Sequence, residues 1–267
     1  MRFSRKLGPQ RTRWPATALL LWLAGALLCP TPARAGMDQT WVAAEGVDSG
    51  LCLIYLPCAT LAFALDQTAP GGTINVIDSG AYGTVTVNKA ITIRSELGQP
   101  SMIASITINA APTDRVMIQG IDLEGTATSL GVAYPYGISV VQAADVLIHN
   151  VRIKDYNAAG TVGSGVYINS QSWTRVTISD CLIFNNTVGV WVTSNGTGAH
   201  LKAFHSLLLA NTESGVRVVG SANDAWMSGN SMLGSTKAMD LRNGGTARSF
   251  VNNAITSGEA PIGMTMY

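Results

Sequence analysis

Short apolar triplets return along this chain in a fixed order. Residues 163–219 read GSGVYINSQSWTRVTISDCLIFNN, then GVWVTSNGTGAHLKAFHSLLLANTES, then GVRVV. Each full line holds one triplet after a glycine (Val166-Tyr167-Ile168), one in mid-line (Val176-Thr177-Ile178) and one after a two-residue polar break (Cys181-Leu182-Ile183). Alternation within a triplet predicts a strand with one buried face. Recurrence after about two dozen residues predicts a solenoid. With the third triplet as ruler, Ile121, Val151, Cys181, Ser206, Ser231 and Ala254 stand 30, 30, 25, 25 and 23 residues apart.

No segment between the turns carries enough 3.6-residue periodicity for packed helical repeats. The expected fold is therefore all-β: three parallel strands per coil, each triplet stacked on its counterpart about 4.8 Å away. Strand twist makes the crossover right-handed. The chain is thus read as a single-stranded right-handed parallel β-helix, a three-sheet solenoid of about eight coils. The glycine-led, mid-line and post-break triplets build its first, second and third sheets.

Residues 1–35 depart from this pattern. Arg2, Arg5, Lys6, Arg11 and Arg13 precede an apolar run at 16–28, and Ala33-Arg34-Ala35 closes it with small residues. That order predicts a signal peptide cleaved after Ala35. The apolar run is shorter than the roughly 20 residues a membrane span needs, so no span is expected after cleavage. The destination is the periplasm or the exterior. Removal of six basic residues changes the charge from 17 − 16 = +1 to 11 − 16 = −5. No basic footprint for nucleic acid remains.

Cys52 and Cys58 stand close together in LCLIYLPC, and in an exported protein an oxidised pair is the default. No third thiolate or histidine lies nearby, so no metal site is read there. Cys181 falls within a strand, where a small buried apolar residue is expected. Residues 59–68 (ATLAFALDQT) form the one plausible helix, with Pro70-Gly71-Gly72 as its stop. A stack of coils leaves its first turn open, and this helix is expected to cap it. The expected organisation is a signal at 1–35, a cysteine-containing leader and cap at 36–72, and the β-helix at 73–267.

The order of cap helix, PGGTINV, a short TVTV strand and KAITIRSE, followed by coils of the GVYI…VTI…CLIFNN form, resembles secreted bacterial right-handed parallel β-helix proteins of the pectin-lyase-like superfamily. TWVAAEGVDSGLCLIYLPCATLAFAL resembles the start of exported members whose function is unassigned. The resemblance runs from Thr40 to Gly258 and implies a fold, since this superfamily hosts lyases, hydrolases, esterases and inert scaffolds alike. It also implies an asparagine ladder at the two-residue turn, expected here at Asn150, Asp180, His205, Asn230 and Asn253. Asp180 beside His205 is read as part of that ladder and not as an acid/base pair.

Two-residue alternation points Thr107, Ser139, Tyr167, Trp191, Arg217 and Asp240 outward from the first sheet, in one file. Tyr167 and Trp191 are expected as a flat aromatic platform, with Arg217 and Asp240 continuing it in charge. A sugar ring has an apolar face and a rim of hydroxyls, which such a surface suits. The alternative is ordinary cross-strand stacking that stabilises the solenoid. The expected partner is a polysaccharide or cell-envelope glycan, met by a non-catalytic scaffold. A polysaccharide lyase or glycoside hydrolase acting on an acidic polysaccharide in the same groove is the rival.

Catalysis finds little support. Glycoside hydrolysis needs two carboxylates about 5 to 9.5 Å apart, and this file offers only Asp240. The polygalacturonase-like motifs NTD, DD and GHG are missing, and Arg152-Ile153-Lys154 falls in a third-sheet strand. No cofactor is expected; Ca²⁺ would enter only with lyase chemistry, and no acidic cluster for its six to eight oxygen ligands is written here. Leu182, Leu207, Met232 and Ile255 are expected to point outward from the third sheet as an apolar stripe for self-association.

Overall fold

The computed structural model describes residues 36–95, 102–125, 134–157, 162–250, 252–256 and 264–266. The expected signal peptide at 1–35 lies outside them. All three sheets are parallel and are crossed in turn by the chain. The first contains Thr84–Val87, Ser105–Asn109, Tyr136–Gln142, Ser164–Ser170, Val188–Ser194, Ser214–Val219 and Lys237–Arg242. The second contains Met37–Val42, Thr68–Val76, Ile91–Ser95, Arg115–Gln119, Asp145–His149, Thr174–Ser179, Ala199–Phe204, Asp224–Ser228, Thr246–Ser249 and Met264–Met266. The third contains Met102–Ile103, Asp122–Glu124, Arg152–Lys154, Leu182–Phe184, Leu207–Leu209, Ser231–Leu233 and Ala254–Ile255. Seven coils among the described residues carry all three strands, one fewer than expected. The second sheet continues past them at both ends, with the leader strand Met37–Val42 lying parallel to Thr68–Val76.

Like residues stack on like. Val166 pairs with Val190 and Val190 with Val216 in the first sheet, and Val146 with Val176 and Val176 with Leu201 in the second. These side chains and Ile153, Ile183 and Leu208 of the third sheet are at most 1% exposed and form one continuous core. Each buried aliphatic side chain contributes about 1.5–3 kcal/mol, so a coil is held by its six or so inward positions and by its neighbours.

The helix Leu61–Gln67 begins at Thr60, whose side chain accepts from the Phe63 amide at 3.2 Å. It buries Leu61, Ala64 and Leu65. At its far end the Lys89 ammonium donates to the Leu65 and Thr68 carbonyls at 2.7 and 2.6 Å, a cation where the helix dipole is negative. Pro70-Gly71-Gly72 is not a turn here. It lies inside the extended strand that starts directly at Thr68. Cys52 and Cys58 are joined in a disulfide. Cys181 is a buried free thiol, and burial pushes it up to about 11.

Among the described residues the two-residue turn between second and third sheets takes a left-handed residue in five coils. Gly120, Asn150, Asp180, His205 and Gly229 occupy it, with φ of 65, 51, 55, 46 and 68°. Asn150, Asp180 and His205 therefore stand in the column expected for them, but Asn230 and Asn253 stand one residue further in. Leu207 pairs with Ser231, which makes the coil from Ser206 to Asn230 24 residues long. The inner column carries the hydrogen bonds: Ser206 Oγ accepts from the Cys181 amide at 3.1 Å, Asn230 Oδ1 from the Ser206 amide at 3.0 Å, and Asn253 Oδ1 from the Asn230 amide at 2.8 Å.

A second ladder, not foreseen from the sequence, runs through the turn after the third sheet. Asn186 and Asn211 are both fully buried. Asn186 Oδ1 accepts from the Tyr156 amide at 3.0 Å, and Asn211 Oδ1 accepts from the Asn186 amide and side chain at 3.2 and 3.0 Å. Gly137, Gly165 and Gly189 follow this turn, and a Cβ on any of them would meet the next coil's carbonyl within 2.9 Å.

The expected apolar stripe on the third sheet breaks for the same reason as the outer ladder. With Met232 paired to Leu208, its side chain points inward and is fully buried. Ile255 packs against the core. Leu182 and Leu207 alone keep the outward position, between Arg152 and Ser231.

Candidate functional site

The register brings the four expected residues into one file: Tyr167 pairs with Trp191, Trp191 with Arg217, and Arg217 with Asp240. They do not make a flat platform. Tyr167 and Trp191 meet edge to face, with centroids 5.2 Å apart and planes at 68°. The stacked partner of Tyr167 is Tyr136, at 4.1 Å and 18°, a residue the sequence reading did not single out. Its place was signalled by Gly137, since Tyr136-Gly137 aligns with Ser164-Gly165 in the next coil. Burial raises both phenols, and Tyr136 raises Tyr167 further. Both therefore stay protonated and able to donate at neutral pH.

Arg217 and Asp240 leave the sheet outward, yet they are only 3% and 6% exposed. Neighbouring side chains cover them. The Arg217 guanidinium lies 5.1 Å from the centre of the Trp191 ring, donates to Asp240 Oδ2 at 2.8 Å and also pairs with Glu213. Arg242 joins Asp240 from the other side at 2.7 Å. Burial alone would raise the Asp240 carboxyl; hydrogen bonds from Arg242 and Arg217, with their charges, outweigh it and hold the group below the usual carboxylate range. Two arginines and two carboxylates leave this end of the file locally neutral. The sequence did not bring Glu213 here, because it sits in the loop before the strand.

Two buried polar atoms on this face have no hydrogen-bond partner among the described residues: Trp191 Nε1 and Asn169 Oδ1. Buried polar groups are nearly always paired; both atoms are closed to solvent here, so neighbouring side chains must shift before a ligand hydroxyl can meet either. Asn223, in the turn after the first-sheet strand Ser214–Val219, is buried: its Oδ1 accepts from the Ala199 amide at 2.8 Å and its Nδ2 donates to the Val219 carbonyl at 2.6 Å. Among the described residues no three or more His, Cys, Asp or Glu side chains gather as metal ligands do.

A groove of about 440 Å³ lies elsewhere, over the second sheet, where Thr92, Met117, Leu147 and Thr177 line it with Arg115 and Asp145. It holds no aromatic ring, and Arg115 and Arg175 both pair with Asp145. The groove is lined by aliphatic and polar side chains, whereas the first-sheet file presents aromatic rings.

Among curated proteins none matches this chain. Among solved structures the chain is similar to the crystal structure of pectate lyase Pel9A, at 11% identity and a TM-score of 0.42, over 87% of this chain and 78% of that one. The pattern of the right-handed β-helix region matches residues 70–204, from the end of the cap through the second-sheet strand Ala199–Phe204. With that match over half its length and three parallel sheets wound from one strand per turn, the chain belongs to the right-handed β-helix family.

Proposed function

We propose that this protein is a non-catalytic, carbohydrate-binding scaffold that works outside the cytoplasm and holds neutral sugar rings against Tyr136, Tyr167 and Trp191. The observation that carries the reading is the run of three aromatic rings from consecutive coils, at 4.1 and 5.2 Å, beside a Trp191 Nε1 that lacks a partner. The rings offer apolar faces, and the phenols offer donors to hydroxyls. Arg217 and Asp240 contribute indirectly: their ion pair fixes the Trp191 ring from beneath.

A neutral glycan fits better than an acidic one, because both arginines near the file are matched by Glu213 and Asp240. Hydrolysis is disfavoured by the same cluster. A general acid needs a raised pKa, and Asp240 is held low. No cofactor enters this reading. Export is supported by the basic, apolar and Ala-x-Ala order of residues 1–35 and by the disulfide. Among the described residues no helix is long and apolar enough to cross a membrane.

A glycan array probed with the wild type, Trp191→Ala, Tyr167→Ala and Leu147→Asp tests the site. The expected result is binding of a neutral glycan that drops about tenfold or more in the two aromatic variants, since a buried aromatic contact is worth about that much. Undiminished binding by both aromatic variants removes the site, and loss in Leu147→Asp alone moves it to the second-sheet groove. Release of reducing ends or unsaturated products from polyuronates, with or without Ca²⁺, would establish the lyase or hydrolase reading instead.

A further inference from the structure

Residues 36–88 carry Asp38, Glu45, Asp48, Asp66 and Asp78 but no lysine or arginine, and residues 49–65 carry no charged side chain. Within that uncharged run, the loop closed by the Cys52–Cys58 disulfide turns its large apolar side chains outward. Leu51, Ile54, Tyr55 and Leu56 are 45, 61, 72 and 67% exposed, and Val47 beside them is 67% exposed. Five of the nine exposed large hydrophobic residues among the described part are thus gathered within ten positions.

The loop is not free to fold them away. The Trp41 amide donates to the Cys52 carbonyl at 2.8 Å, the Cys58 amide to the Trp41 carbonyl at 3.0 Å, and the Leu56 amide to the Leu53 carbonyl at 2.9 Å. Asp48 fastens the base by accepting from the Ala59 and Thr60 amides at 2.8 and 2.9 Å. A tip already ordered loses little conformational entropy when something covers it.

We propose that this tip is a membrane-contact element that seats in the headgroup region of an electrically neutral, zwitterionic bilayer. Size selects a lipid surface: ten residues offer less than the roughly 800 Å² per side of a stable protein interface, whereas a bilayer takes up apolar side chains singly. Tyr55, at the tip, joins an apolar ring to a polar end, the combination favoured at the membrane–water boundary. Charge selects the lipid. With five carboxylates and no lysine or arginine in residues 36–88, this end of the solenoid repels anionic lipid and matches the ammonium groups of zwitterionic headgroups.

Flotation of residues 36–267, which form a compact unit by themselves, with phosphatidylcholine and phosphatidylethanolamine vesicles tests this. The wild type floats, and Tyr55→Ser combined with Leu56→Ser weakens partitioning about tenfold or more, given what each buried side chain contributes. Tyr55→Trp keeps an amphipathic tip, retains binding and is quenched by brominated acyl chains. Replacing part of the lipid with phosphatidylglycerol weakens binding, and salt restores it. Three results overturn the proposal: no flotation of the wild type, undiminished flotation of the double variant, or tighter binding to the anionic vesicles. A dimer in sedimentation velocity that Tyr55→Ser abolishes also overturns it, by assigning the tip to a second copy. Trp191→Ala leaves flotation unchanged, so this contact and the glycan site fail or stand separately.

Discussion

Replacing Asn211 with alanine tests whether the buried asparagine ladder holds neighbouring coils together. Asn211 is fully buried. Its Oδ1 accepts from the Asn186 amide and side chain at 3.2 and 3.0 Å, and its Nδ2 donates to the Ile183 carbonyl at 3.1 Å. The Asn186 side chain retains a second acceptor, the Ile153 carbonyl at 3.4 Å. The variant therefore strands the Asn186 amide in a place without solvent and removes one bond from the Ile183 carbonyl. At about 1–3 kcal/mol for a buried unsatisfied group, the expected loss is about 2–3 kcal/mol, a large share of the roughly 5–15 kcal/mol that holds a folded domain. In a protein of this size that corresponds to a melting temperature lower by about 4–10 °C. Urea denaturation of residues 36–267, followed by circular dichroism, reads the midpoint. Hydrogen exchange should lose protection first around residues 182–211, because coils interact with nearest neighbours. Pairing the change with Asn186→Ala should cost less than the sum of the single changes, since both break the same bonds. A loss under about 1 kcal/mol, or two strictly additive single losses, would refute the ladder's role.

The other expectations concern ionisable groups. Asp240 is held below its unfolded value, so its contribution is present above about pH 4 and is lost as pH falls through the folded pKa. Asp240→Asn should flatten the acid limb of a urea-midpoint profile between pH 7 and 3, and an unchanged slope would show that the cluster does not couple to folding. Cys181, with its thiol raised to about 11 by burial, should be about one part in a thousand thiolate at pH 8. Intact-mass analysis after iodoacetamide should find residues 36–267 unmodified while native and singly alkylated after denaturation; alkylation of the native protein within minutes would contradict the buried placement.

The winding was legible because Val166, Val190 and Val216, and Val176 with Leu201, repeat an apolar residue at each inward position, and parallel in-register stacking puts like on like. The file of Tyr167, Trp191, Arg217 and Asp240 followed from that register. What was misplaced followed from chemistry that the pattern does not separate. Gly229 and Asn230 are both residue types that suit a left-handed turn, and choosing Asn230 moved Asn253 and Met232 one position out of place. Asn185 and Asn186 read as one polar turn, yet Asn185 takes the positive φ of 54° while Asn186 turns inward. Arg217 was assigned correctly to the outer face, but nothing in the spacing says that Glu213 and Arg242 close over it. The apolar residues of the Cys52–Cys58 loop would ordinarily be taken for core, and the structure leaves them in solvent.

Because the two-residue corner and the glycine of the next strand recur in the successive coils that carry Gly165, Gly189 and Gly215, these levels are interchangeable with one another. Excising residues 187–211 would carry Val166 from beneath Val190 to beneath Val216, methyl against methyl, with no side chain turned from inside to outside. The same operation would slide Tyr167 under Arg217 and erase the indole. Length is thus a free variable of this architecture, whereas the order of aromatic and charged residues along its outer face is not.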